Sequence, residues 1–229
     1  MGDINPHNVC TWGDREDCAT CSLHGRLNCR WEAGKLARFA AIALPFMTVS
    51  ALGVILTWTQ TGNWGFPAAY LILLTLFFTL VEARILCRHC PFYARSGRTI
   101  RCHANHGLPK AWSYDPKPLN GYERYGLLLC FSFLGFFPII AEAYGYWHSI
   151  ANPSFQGANQ YLVWAGIILV NLVMLISFFY LLRRLSCPHC VNFSCPLNRT
   201  PIALREEYLK RNTVMKDAWD GTGAPPSLD

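Results

Sequence analysis

The sequence predicts an all-α membrane protein of four transmembrane helices, paired as two helical hairpins, with cytoplasmic Cys-rich segments that bind metal. Three observations predict it: long charge-free apolar runs, the confinement of every Lys and Arg to three segments, and a Cys-x-His-Cys motif that twice follows an apolar run. Of 229 residues, 52% are hydrophobic and 15% charged, far from the balance of a soluble domain.

The apolar runs are Leu36 to Gln60, Pro67 to Leu86, Tyr125 to Trp147 and Tyr161 to Leu185. Each spans about 20 residues or more, enough to cross a hydrocarbon core of about 30 Å at about 1.5 Å per residue. The first follows about 35 polar, Cys-bearing residues and lacks a small-residue cleavage pattern, so it reads as a span rather than a signal peptide.

Charge sets the expected topology. Of 20 Lys and Arg, five precede or open the first span, eight lie between Arg84 and Arg124, and seven follow from Arg183 onward. The connections "TQTGNWG" and "YWHSIANPSFQGANQ" carry no charge. The positive-inside rule then places the basic segments and both termini in the cytoplasm and the chain in the cytoplasmic (inner) membrane. Trp58, Trp64, Tyr144, Trp147, Tyr161 and Trp164 form the expected aromatic belt on the other side. The net charge of +6 thus reports orientation toward a lipid bilayer, and no nucleic-acid partner is required. Five regions follow: a Cys-bearing segment 1–34, hairpins 35–86 and 125–185, a Cys/His loop 87–124, and a tail 186–229.

Ten of the eleven cysteines fall in the basic segments, with only Cys130 inside a span. Disulfides rarely persist in a reducing compartment, so this density points to metal ligation or redox chemistry. Cys10, Cys18, Cys21 and Cys29 form one cluster around a central Cys-x-x-Cys, suited to tetrahedral zinc or to a cubane iron–sulfur cluster. Cys87, Cys90 and Cys102 form a second with His89 and His103, and Cys187, Cys190 and Cys195 a third with His189. "RILCRHCPFY" (84–93) recurs as "RLSCPHCVNF" (184–193) after 100 residues, so the chain reads as two halves of helix, helix and Cys-x-His-Cys. Such halves can be related as parallel repeats about the membrane normal. The two motifs are then expected either to share one site through Cys87, Cys90, Cys187 and Cys190, or to hold one metal each.

Four other features carry expectations. The apolar runs contain no histidine, which excludes a bis-histidine haem. Glu82 is expected to pair with Arg84 or Arg183, and Glu142 to reach water at an outer helix end. The loop from Pro91 to Arg124 reads as an ordered, extended excursion over a metal site. Past Thr200-Pro201, Leu204, Tyr208, Met215 and Trp219 suggest an amphipathic helix on the membrane or a partner, and the closing "GTGAPPSLD" suggests disorder.

These features lead to an iron–sulfur electron-transfer protein, acting as a subunit or anchor of a membrane redox complex. A protein partner and a quinone are the partners expected. Structural zinc for partner docking is the alternative, favoured by the histidine inside each motif. A membrane thiol–disulfide oxidoreductase is a lesser alternative, because its dithiols would lie on the reducing side.

Overall fold

The computed structural model describes residues 4–13, 16–152 and 160–221. Four helices are long and apolar enough to cross a membrane: α1 (Ala33–Thr61), α2 (Gly65–His89), α3 (Gly121–Ala151) and α4 (Gln160–His189). The chain is a multi-pass membrane protein on that basis. Among the described residues there is no strand, only an isolated bridge between Thr99 and Pro109.

Each helix outruns the apolar stretch that announces it, because polar residues shape its ends. Asn120 and Glu123 build a reciprocal capping box that starts α3 four residues before Tyr125. Gly62, at φ 70°, takes the left-handed conformation that stops α1. At their other ends α2 and α4 widen into π turns, Phe77–Leu86 and Leu182–Ser186, and then tighten to 3-10 turns, Cys87–His89 and Cys187–His189. Both Cys-x-His-Cys motifs therefore complete helices rather than follow them.

The doubled motif is also a doubled conformation. Leu86 and Ser186 have φ, ψ of −102°, −49° and −105°, −46°, while Cys87 and Cys187 have −69°, −38° and −64°, −32°. Cys90 and Cys190 then both turn extended, at −90°, 136° and −82°, 131°.

Within the bundle, α1, α3 and α4 pack against one another, and α2 packs on α1 with its π turns against α3. Val54, Tyr70, Phe77, Leu134 and Ala141 form the shared apolar core. Close approach depends on small residues: Gly135 admits Leu175, and Gly145 admits the Trp164 ring. Trp164 is consequently buried rather than part of the aromatic belt, whereas Trp58, Trp64 and Trp147 are exposed. Hydroxyls satisfy themselves on the helix, as Thr57 does on Gly53 O at 3.0 Å and Ser149 on Gly145 O at 2.9 Å.

Glu142 departs from expectation: it is 0% exposed and does not reach water. Helix α3 continues past Trp147 to Ala151, and Gly53 leaves the space that the Glu142 carboxyl occupies.

Outside the bundle the three Cys-bearing segments fold together. Leu23 and Leu27 from the first, Phe92 from the second, and Val191, Phe193, Leu204, Tyr208 and Met215 from the third share one apolar core. Three tryptophans stitch it: Trp12 Nε1 donates to Pro91 O, Trp31 Nε1 to Cys102 O, and Trp219 Nε1 to Pro116 O, at 3.0, 3.2 and 3.1 Å. The loop from Pro91 opens with a 3-10 turn at Pro91–Ala94 and is tied to the end of α2 by an Arg88–Asp115 ion pair of 2.5 Å.

The tail forms two short helices, α5 (Ile202–Lys210) and α6 (Thr213–Trp219), rather than one. Asn212 breaks them, accepting from Cys10 N at 2.6 Å and donating to Tyr208 O at 2.7 Å. The apolar face expected to lie on a membrane or partner covers the chain's own N-terminal segment instead. Thr200 does not cap α5; its hydroxyl donates to Cys190 O at 2.8 Å. Of the closing "GTGAPPSLD", everything after Gly221 lies outside the described residues.

Candidate metal centre

All eleven cysteines are free. Six of them, Cys87, Cys90, Cys102, Cys187, Cys190 and Cys195, line one cavity of ≈ 280 Å³ where the bundle meets the extramembrane core. The π and 3-10 turns of α2 and α4 carry Cys87 and Cys187 to it, and the extended residues Cys90 and Cys190 turn inward just beyond. The bond from Asn192 Nδ2 to Leu86 O, 3.2 Å, holds the second motif's loop against the end of α2. The two halves of the repeat thus meet at a common space.

Burial disfavours the thiolate at Cys90, Cys102 and Cys195. Burial, then the neighbouring Cys190, raise Cys90 well above the ordinary thiol range. Burial pushes Cys102 up to about 11, and burial with Cys190 pushes Cys195 up to about 12. A cation among them would oppose both causes, since it favours the thiolate. Three N–H groups already aim at sulfur: Asn105 N at Cys102 Sγ (3.0 Å), Asn105 Nδ2 at Cys87 Sγ (3.2 Å) and Asn192 N at Cys190 Sγ (3.4 Å).

The histidines divide. His89 is buried, and its Nδ1 pairs with Lys117 O at 2.7 Å; His189 is exposed, and its Nδ1 pairs with Arg26 O at 2.8 Å. Each fastens a distant stretch of backbone to its motif, and both lie outside the cavity lining. His103 does line the cavity, with Nε2 accepting from Glu32 N at 3.1 Å and the ring edge-on to Phe92. Burial, then the Lys35 charge, lower its pKa to about 4, so the ring is neutral.

Cys10, Cys18, Cys21 and Cys29 gather separately. Burial, then Cys10, Cys21 and Cys18, push Cys29 up to about 12. Burial, Cys18 and Cys21 also raise Cys10, while Arg30 and Arg211 oppose them. Arg30 Nε donates to Cys18 Sγ at 3.1 Å. The tail closes this group from outside: Tyr208 and Thr11 share a 2.7 Å hydroxyl bond, and Ser22 donates to Glu207. Among the described residues, no three His, Cys, Asp or Glu side chains converge tightly enough to hold a single metal ion as they stand.

Glu82 also lines the six-thiol cavity. Among the described residues no ion pair joins it to Arg84 or Arg183, and its Oε2 has no partner. The π turns that carry it leave Glu82 buried and Arg84 exposed. Asn105, Asn192 and Glu82 are the site residues that motif reading passes over. The only signal for the first two is an amide three residues after Cys102 and two after Cys190.

The chain matches no family model, no curated protein and no solved structure.

Proposed function

We propose that the chain is an integral membrane electron-transfer protein, a subunit or anchor of a redox complex, whose thiols hold iron–sulfur clusters. The observation that carries this reading is the six thiols around one cavity of ≈ 280 Å³ at the end of the bundle. A cubane takes four thiolates, each on a different iron, around a core of eight atoms. Cys87, Cys90, Cys187 and Cys190 supply one pair from each half of the repeat, and Cys102 and Cys195 extend the set. Cys10, Cys18, Cys21 and Cys29 hold a second centre.

Two further features support the reading. N–H donors to cysteine sulfur are a means of setting a cluster's reduction potential. His89 and His189, the residues that keep zinc in contention, lie outside the lining of the six-thiol cavity. With the basic segments placed in the cytoplasm, both centres face soluble electron carriers while the cavity borders the bilayer.

Anaerobic purification followed by iron, sulfide and zinc analysis and a visible spectrum tests this directly. Iron and sulfide near four per centre with broad absorption near 400 nm are expected on the order of a cubane cluster. Cys87→Ser and Cys187→Ser should each remove the same cluster signal, and Cys18→Ser a different one. A colourless protein with stoichiometric zinc and no sulfide would overturn the proposal in favour of structural zinc.

A further inference from the structure

The cavity does not end at the thiols. It continues between the helices, where Phe39 and Met47 of α1, Phe77 and Phe78 of α2, and Phe178 and Phe179 of α4 line it. Arg38 and Leu185, exposed members of the lining, mark a rim between α1 and α4 at the basic end of the bundle. Facing this apolar arm is one polar group without a partner: Glu82 is only 8% exposed, and its Oε2 accepts no hydrogen bond. A buried oxygen of this kind is rare enough to need an explanation.

An occupant has three requirements to meet. It must be able to arrive from lipid, because the exposed lining residues Arg38 and Leu185 lie at the basic ends of the membrane-spanning helices α1 and α4. It must be flat and apolar to lie among aromatic rings and a methionine. It must present a hydrogen-bond donor to Glu82. Acyl chains meet the first and part of the second but carry no donor. We propose that the arm binds the ring of a lipid-soluble quinol, with one ring hydroxyl donating to Glu82 Oε2 and the tail leaving past Arg38 and Leu185.

The arm is one part of the ≈ 280 Å³ cavity, the thiols bounding the rest, so it suits a ring alone, with the tail outside. Asn105 lines the same cavity as Glu82 and donates to Cys87 Sγ at 3.2 Å. The quinol's role as an electron carrier rests on the cluster reading above, whereas its binding stands on the geometry of the arm.

The test uses the full chain in nanodiscs of synthetic phospholipid, labelled by light with an azido-substituted short-chain benzoquinol. Label is expected on peptides covering 39–47 and 178–185, competed by unlabelled decyl-benzoquinol and not by added phospholipid. The quinol's dimethyl ether, which lacks the donor, should compete about tenfold more weakly, the worth of one hydrogen bond. In Glu82→Leu that tenfold gap should close, and Met47→Trp should abolish labelling by filling the arm. Monodisperse elution and metal content, measured on the same samples, report folding of each variant. Label spread over lipid-facing helix surfaces without competition overturns the site, as does an ether that competes as well as the quinol in the unmodified chain. Competed labelling of a colourless zinc protein keeps the site and removes the electron-transfer reading; an iron–sulfur protein without competed labelling does the reverse.

Discussion

Asn171 Nδ2 donates to Glu142 Oε1 across 2.7 Å, tying α4 to α3 inside the bundle. Ser50 of α1 extends the link, its hydroxyl donating to Asn171 Oδ1 at 3.1 Å. All three residues are 0% exposed. In a bundle surrounded by lipid, apolar side chains distinguish poorly between neighbouring helices and surrounding acyl chains, so such a triad fixes which faces meet.

Asn171→Leu removes the donor and leaves the Glu142 carboxyl buried alone. A loss of about 1–3 kcal/mol is expected in denaturant unfolding of the detergent-solubilised chain. Adding Glu142→Leu should return much of that loss, because both polar groups then leave together. Strictly additive losses would show that the two side chains do not act as a pair.

Gly53 is the counterpart on α1. A Cβ built there runs into the Glu142 carboxyl, whereas one at Gly166 meets nothing within 4 Å. Gly53→Ala should therefore destabilise by about 1–3 kcal/mol through overpacking. Gly166→Ala should be neutral or stabilise by up to about 1 kcal/mol. Comparable midpoints for the two variants would place Glu142 somewhere other than against α1.

The histidines of the repeat should behave as fasteners. His89→Leu removes the buried side-chain partner of the Lys117 carbonyl and should cost about 0.5–1.5 kcal/mol. His189→Leu, at an exposed position, should cost about 1 kcal/mol or less. Metal per chain is expected to match the unmodified protein in both, and a folded variant with reduced metal would make that ring a ligand.

Lys110 gives the extramembrane core a pH dependence. Its Nζ donates to Tyr93 O at 2.9 Å and to Arg95 O, while burial, then the Arg95 charge, lower its pKa from 10.5 to about 8. The unfolded chain binds the proton more tightly, so the folded state carries a penalty below pH 8 that is relieved as pH rises from about 8 to 10.5. Stability should rise across that window, and the rise should be smaller in Lys110→Met. Tryptophan fluorescence during urea unfolding at several pH values reads the difference between the two.

Hydropathy alone announces the four helices, because a bilayer demands long unbroken apolar runs and little else resembles them. The thiols and the doubled motif are equally legible, since spacing survives in one dimension. What spacing cannot convey is company. That Cys102 and Cys195 share a cavity with both motifs follows from three segments burying one core around Phe92 and Val191. An amphipathic pattern from Leu204 to Trp219 says that a face needs cover, not that Leu23 and Leu27 supply it. Glu142 misleads for a similar reason: its depth depends on a helix end nine residues later and on a glycine nearly ninety residues earlier. The histidine inside each motif shows the same limit, as spacing gives no sign that its Nδ1 pairs with the backbone of a distant segment.

The bond between Cys10 N and Asn212 Oδ1 joins residues 202 positions apart. During synthesis, the first thiols to be made must therefore wait for the last helices before their packing can finish, with both hairpins produced in between. Closure of the N-terminal thiol group comes after the last helices, and a truncation before Asn212 would leave Cys10, Cys18, Cys21 and Cys29 without their cover however well the bundle inserts.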